Sequence, residues 1–164
     1  YVAKQTYLPT DISDINASFV IPPGMSIYGG FAGTEKSINQ RNRALIHSDN
    51  KTTLSGDLNG DDTPFIFTTN RDDNSKNVVQ LNGNNAVFDG FTVRGANSIS
   101  RGGIEVNSSN LIIKNCRFID NLYSGINIRF DNINISNCTM AGNGDSGIFT
   151  YDANMLNVTN CLIV

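Results

Sequence analysis

The stretch GDLNGDD, starting at Gly56, crowds hard oxygen ligands into one turn: Asp57, Asn59 and Asp61 alternate, and Asp62 follows directly. Calcium favours such carboxylate and amide oxygens. An EF-hand counted from Asp57 would require Gly at its sixth place and Glu at its twelfth, where Asp62 and Thr68 stand instead. The competing reading is an acidic turn whose side chains bond their own backbone. Calcium is the one ion for which the sequence offers ligands, and no other cofactor is expected. A second set of reactive groups lies further on, in Glu105, Arg129 and Asp145, with Arg101 nearby. A lyase acting on a uronate needs a base for the α-proton and a cation for the carbanion. A glycosidase needs two carboxylates roughly 5 to 9.5 Å apart. A solvated face of mixed polar residues would present the same groups. Phe149 and Tyr151, with Asn127, could instead offer a stacking platform and a hydrogen-bonding amide to a sugar ring.

Whether any of these groups converge depends on the elements that carry them. Four rows align in the second half: AVFDGFTV from Ala86, LIIKNCRF from Leu111, INISNCTM from Ile133 and LNVTNCLI from Leu156. Their first, third, sixth and eighth places are apolar, as in Ile133, Ile135, Cys138 and Met140. Two alternating pairs with one extra residue between them describe two short strands meeting at a bend. The bend residue is Gly90, then Asn115, Asn137 and Asn160. A further register follows each row, with Gly103, Gly125 and Gly147 spaced 22 residues apart and Ile104, Ile126 and Ile148 in step. Each repeat therefore holds three strands, and a coil of this size must stack on its neighbours to bury its apolar side. The expected fold is all-β: a parallel β-helix with coils of about 22 residues and an asparagine ladder along the bend. Alternation then turns Glu105, Asn127 and Phe149 outward in one column, and Asn107, Arg129 and Tyr151 in the next.

Composition agrees with many short strands and tight turns: 24 Asn and 15 Gly among 164 residues, with no Trp. The first half carries the pattern more loosely. SIYGGF, TLSGDL and VFDGFT mark one bend in successive larger coils, and the insertions between them are expected to leave the coil as surface loops. One β-helix domain is expected over 1–164, with irregular coils over 1–82 and regular ones over 83–164. Both ends read as interrupted strands, so the sequence is expected to be part of a longer chain. Cys116, Cys138 and Cys161 share one inward column, 22 and 23 residues apart. They lack the short spacing of a zinc site and are expected as buried free thiols. His47 stands alone and is expected at the surface.

The opening SIYGGFAGTEKSINQRN with TLSGDLNGDD and VFDGFTV resembles secreted bacterial proteins built from right-handed parallel β-helix repeats. The later RGGI with FIDN, and SGI with MAGN, resemble the Gly-Gly-Ile and Phe-x-x-Asn repeats of polymorphic outer-membrane proteins, with Met140 in the Phe place. The resemblance implies the fold and a secreted or bacterial cell-surface location. With 15 acidic against 12 basic residues and no basic stripe, a nucleic-acid partner is not expected. Nor is a transmembrane segment, since no 18-residue apolar run occurs. The expected role is a non-catalytic stalk, adhesin or glycan-binding module, with a polysaccharide or surface glycan as partner, and other subunits through open ends or loops. The alternative is a lyase or hydrolase of an acidic polysaccharide.

Overall fold

The computed structural model describes residues 1–11, 13–151 and 153–164. Sixteen short strands run as β1 (Gln5–Tyr7), β2 (Phe19–Ile21), β3 (Ile27–Tyr28), β4 (Thr52–Ser55), β5 (Val79–Leu81), β6 (Val87–Asp89), β7 (Phe91–Arg94) and β8 (Gly102–Val106). They continue as β9 (Leu111–Lys114), β10 (Arg117–Ile119), β11 (Ser124–Ile128), β12 (Ile133–Ser136), β13 (Thr139–Ala141), β14 (Ser146–Thr150), β15 (Leu156–Thr159) and β16 (Leu162–Ile163). Each coil contributes one strand to each of three parallel sheets. Sheet I is ordered β1-β4-β7-β10-β13-β16, sheet II β2-β5-β8-β11-β14 and sheet III β3-β6-β9-β12-β15. The only helical elements among the described residues are two single 3-10 turns, Ile38–Gln40 and Arg43–Leu45. This is the parallel β-helix that the repeat required.

The inward columns are those of the aligned rows. Phe88, Phe91, Ile113, Cys116, Phe118, Ile135, Cys138 and Met140 form one continuous core with Ile104, Ile126 and Ile128. Phe88 and Phe91 stack across the bend at 4.7 Å between ring centroids. Leu156 and Cys161 on the terminal coil pack against this core on one side and remain partly exposed. All three cysteines are free thiols, and burial raises the Cys116 thiol well above its usual range.

Two corners of the coil are set by asparagines in the left-handed region. Asn115, Asn137 and Asn160 have φ of 52, 54 and 50°, and Asn85, Asn110 and Asn132 have φ of 58, 59 and 60°. L-residues pay a steric penalty there, smallest for Asn and Gly, whose side chains respectively bond locally or are absent. At the first corner the amides form a ladder: Asn160 Nδ2 donates to Asn137 Oδ1 (2.6 Å) and Asn137 Nδ2 to Asn115 Oδ1 (3.4 Å). Asn115 Nδ2 then donates to Asp89 Oδ1 (2.8 Å), because the corner below it is Gly90 and offers no amide. A Cβ at Gly90 would run into the Arg41 guanidinium, so the ladder yields there to a docked arginine.

The long insertions do not simply leave the coil. The first, between β3 and β4, is drawn back by buried Arg41, which pairs with Asp89 at 3.0 Å. The second, between β4 and β5, is drawn back by buried Arg71, which pairs with Asp120 at 2.6 Å and Asp62 at 3.2 Å. Removing one partner from such a buried pair leaves an uncompensated charge, at a cost of about 3–5 kcal/mol. His47 lies in the first insertion and is half-buried rather than at the surface. Its Nδ1 has no hydrogen-bond partner within the protein.

Two predictions follow from the corners and the insertions. Asn137→Ala places a Cβ-bearing residue without a local bond at φ 54°, whereas Asn137→Gly loses the amide but relieves the backbone. Chemical denaturation should show the alanine variant less stable than the glycine variant by about 1 kcal/mol; equal losses would place the whole effect in the amide ladder. Burial, with Arg117 and Arg41, lowers the His47 pKa from 6.5 to about 4. A depressed value means that the unfolded chain binds the proton first, so stability present above pH 6.5 is lost as pH falls toward 4. The melting temperature of the parent should therefore drop relative to that of His47→Gln across that window, and a constant difference between the two would contradict the assignment.

Candidate functional site

Strand register on sheet II assembles the outward groups. Val20, Gln80, Glu105, Asn127 and Phe149 stack in one column through successive parallel pairs. Beside them, Asn107 N–H donates to Leu81 O, Arg129 N–H to Val106 O and Tyr151 N–H to Ile128 O, which raises a second column one coil at a time. A groove of about 260 Å³ runs between Gln80, Glu105, Asn107, Arg101 and Arg129.

Glu105 is the centre of this groove and is only 4% exposed. Its Oε1 accepts the Gly102 N–H at 2.8 Å, and its Oε2 lies 3.5 Å from Arg129 Nε. Burial pushes the carboxyl above the usual range, opposed by the Gly102 bond and by Arg129 and Arg101. Arg101 is held by Asn77, whose Oδ1 accepts from Nη1 at 3.1 Å. Asn127 is buried in the column above Glu105. Its Nδ2 donates to Ser100 O at 3.2 Å, and its Oδ1 has no partner within the protein.

Aromatic rings border the groove on the next coils. Phe149 lies 5.4 Å from Tyr123 and 5.8 Å from Tyr151, ring centroid to ring centroid, tilted against each. Tyr151 is 60% exposed. Parallel stacking brings these three together because Tyr123 precedes β11, while Phe149 and Tyr151 sit on or just after β14. Tyr123 and Gln80 were the residues that spacing alone did not single out as ligand contacts. The signal for Tyr123 was its place immediately before the second Ser-Gly-Ile. Gln80 belongs to an irregular coil without the glycine marker.

Asp145 is exposed in the turn before β14, where its N–H donates to Tyr123 O. It does not line the groove with Glu105. Among the described residues, Glu105 is the only carboxylate on that lining. The arrangement thus offers guanidinium donors, amides and ring faces around one buried acid. That combination suits hydrogen bonding and stacking with a hydroxylated ligand.

The acidic turn has a different membership from the sequence set. Asp57 Oδ1 accepts the N–H of Gly60 (2.8 Å) and of Asp61 (3.1 Å), as an Asx-type turn does. Asp57 and Asp61 are joined by Asp73, with carboxylate oxygens all within 4.8 Å of one another. Asp73 Oδ2 also accepts the Asn59 N–H at 3.0 Å. Asp62 faces the other way, toward Arg71 and the Asn74 amide, which donates at 2.8 Å. Asp73 was missed because it comes from the far end of the insertion. Three carboxylates so placed would supply three of the about six to eight oxygens that calcium takes, and Arg94, 3.9 Å from Asp57 Oδ2, supplies competing positive charge.

No helix among the described residues is long and apolar enough to cross a membrane. In comparisons with known proteins, no curated protein and no solved structure gave a significant match. A family model described as "Right handed beta helix region" matches residues 36–164, spanning the regular coils, both of their asparagine corners and the groove on sheet II. The chain belongs to the right-handed β-helix family.

Proposed function

We propose that this chain is a non-catalytic, secreted or bacterial cell-surface β-helix segment that binds glycans on the outer face of sheet II. The observation that carries the reading is the run of three touching rings, Tyr123, Phe149 and Tyr151, beside a groove holding Arg101, Arg129 and Glu105. Ring faces stack on the C–H surface of a sugar, while guanidinium and amide donors fix its hydroxyls. Asn127 stands between the two halves of the site, one coil above Glu105. The stacked coils would also serve as a stiff stalk, gaining about 4.8 Å of length per coil, and an adhesive role follows from placing the site along the side of such a rod.

A lyase or hydrolase of an acidic polysaccharide is the alternative reading. It is favoured by the raised carboxyl of Glu105 next to Arg129. Against hydrolysis stands the single carboxylate on the groove lining, where a glycosidase needs two.

Affinity electrophoresis through a panel of neutral and acidic polysaccharides, with calcium and with chelator, separates the readings. Retention of the protein with no shortening of the polymer is expected, and Tyr151→Ala should weaken it about 3- to 10-fold. Shortened chains, or absorbance from a new unsaturated uronate, would establish catalysis instead. Absence of retention on every polymer would reduce the segment to a stalk.

A further inference from the structure

A second cleft lies on sheet I, formed where the insertion between β4 and β5 folds back over the strands. Its volume is about 190 Å³, below the range typical of drug-sized ligands. One wall is the outward column of sheet I, in which Thr6 pairs with Thr53 and Thr53 with Thr92. The opposite wall is Phe65. Its N–H donates to Asp120 Oδ1 at 2.8 Å, and its ring covers Gly142, where a Cβ would come within 2.7 Å. Phe65 holds φ at 64°, an outlier for a bulky residue and the kind of strain that persists only where surrounding contacts enforce it.

The polar groups in this cleft are unequally satisfied. Asp120 is fully engaged, by Arg71 at 2.6 Å and Arg94 at 3.1 Å as well as by the Phe65 N–H. Thr92 is only 4% exposed, lines the cleft, and its Oγ1 has no partner within the protein. A buried hydroxyl without a partner is unfavourable, so its retention on a cleft wall points to something outside the chain. Lys51 lies exposed at the mouth and makes no ion pair with any described residue. With Asp120 neutralised, Lys51 leaves the cleft with unbalanced positive charge.

We infer that this cleft binds a small hydroxylated molecule carrying one oxyanion group, with Lys51 facing the charge and the Thr92 hydroxyl bonding the ligand. The threonine column supplies further hydroxyls, and the Phe65 ring supplies a face for the ligand's carbon skeleton. The site is independent of the groove on sheet II and stands or falls apart from it.

Saturation-transfer NMR with glycerol 3-phosphate, gluconate and neutral glycerol tests the inference on the whole chain. At millimolar concentration, one or both anions should receive saturation, and glycerol should receive far less; which anion responds identifies phosphate or carboxylate as the charged group. Thr92→Val preserves the shape and removes only the unpartnered hydroxyl, so it should melt at or above the parent temperature. It should weaken anion binding about threefold or more. Lys51→Gln, at an exposed position, should weaken it at least as much without moving the melting temperature. Tyr151→Ala should leave it unchanged. Silence from both anions, equal response from glycerol, or undiminished binding in both cleft variants would overturn the site.

Discussion

Asn115, Asn137 and Asn160 at one corner, with Asn110 and Asn132 at another, hold backbone that most L-residues avoid, at φ between 50 and 60°. The turn made there lets each coil close and present its next strand in parallel register with the coil below. Amide-to-amide bonds tie these corners together along the stack, so one corner out of step would shift the strands on both sides of it. Because side chains alternate across a strand, a one-residue slip would exchange core and surface throughout a coil. The inward column of Cys116, Cys138, Ile113 and Ile135 and the outward column of Glu105, Asn127 and Phe149 are two consequences of the same register.

Where the corner residue is Gly90 the ladder takes a different form. Asp89 accepts the Asn115 amide from above and Arg41 from the side, joining the regular coils to the inserted chain. Arg71 plays the corresponding part for the second insertion through Asp120, itself a residue at positive φ. These buried pairs do more than hold loops down. By pressing the second insertion against sheet I they create a walled cleft, whereas sheet II keeps an open face on which rings and guanidinium groups stand side by side.

The regular coils were legible because their corners keep Asn or Gly and their inward places stay apolar. Asn-Cys at the bend and Gly-Ile on the following strand repeat with a fixed spacing, and the period alone required stacking. The column of Glu105, Asn127 and Phe149 could be read in the same way, since outward residues inherit the register of their inward neighbours. The insertions were legible only as interruptions. Arg41, Arg71 and Asp73 reach their partners across long stretches of chain with no periodic signal, so their burial, and the membership of the acidic cluster, depended on three-dimensional folding. Asp62 shows the limit well: adjacent to Asp61 in sequence, it turns to Arg71 while Asp61 turns to Asp57 and Asp73. His47 was misplaced at the surface for the same reason, as the insertion that carries it folds back over Arg117 and Asn115.

The central functional claim is that glycan lies along the aromatic edge of sheet II. Hydroxyl-radical footprinting, read by mass spectrometry with and without a retained polysaccharide, tests it residue by residue. Tyr123, Phe149 and Tyr151 should be protected together when glycan is bound, while exposed Phe130 and Met155 stay equally reactive. Unchanged oxidation of the three rings in the presence of a bound polymer would contradict the account.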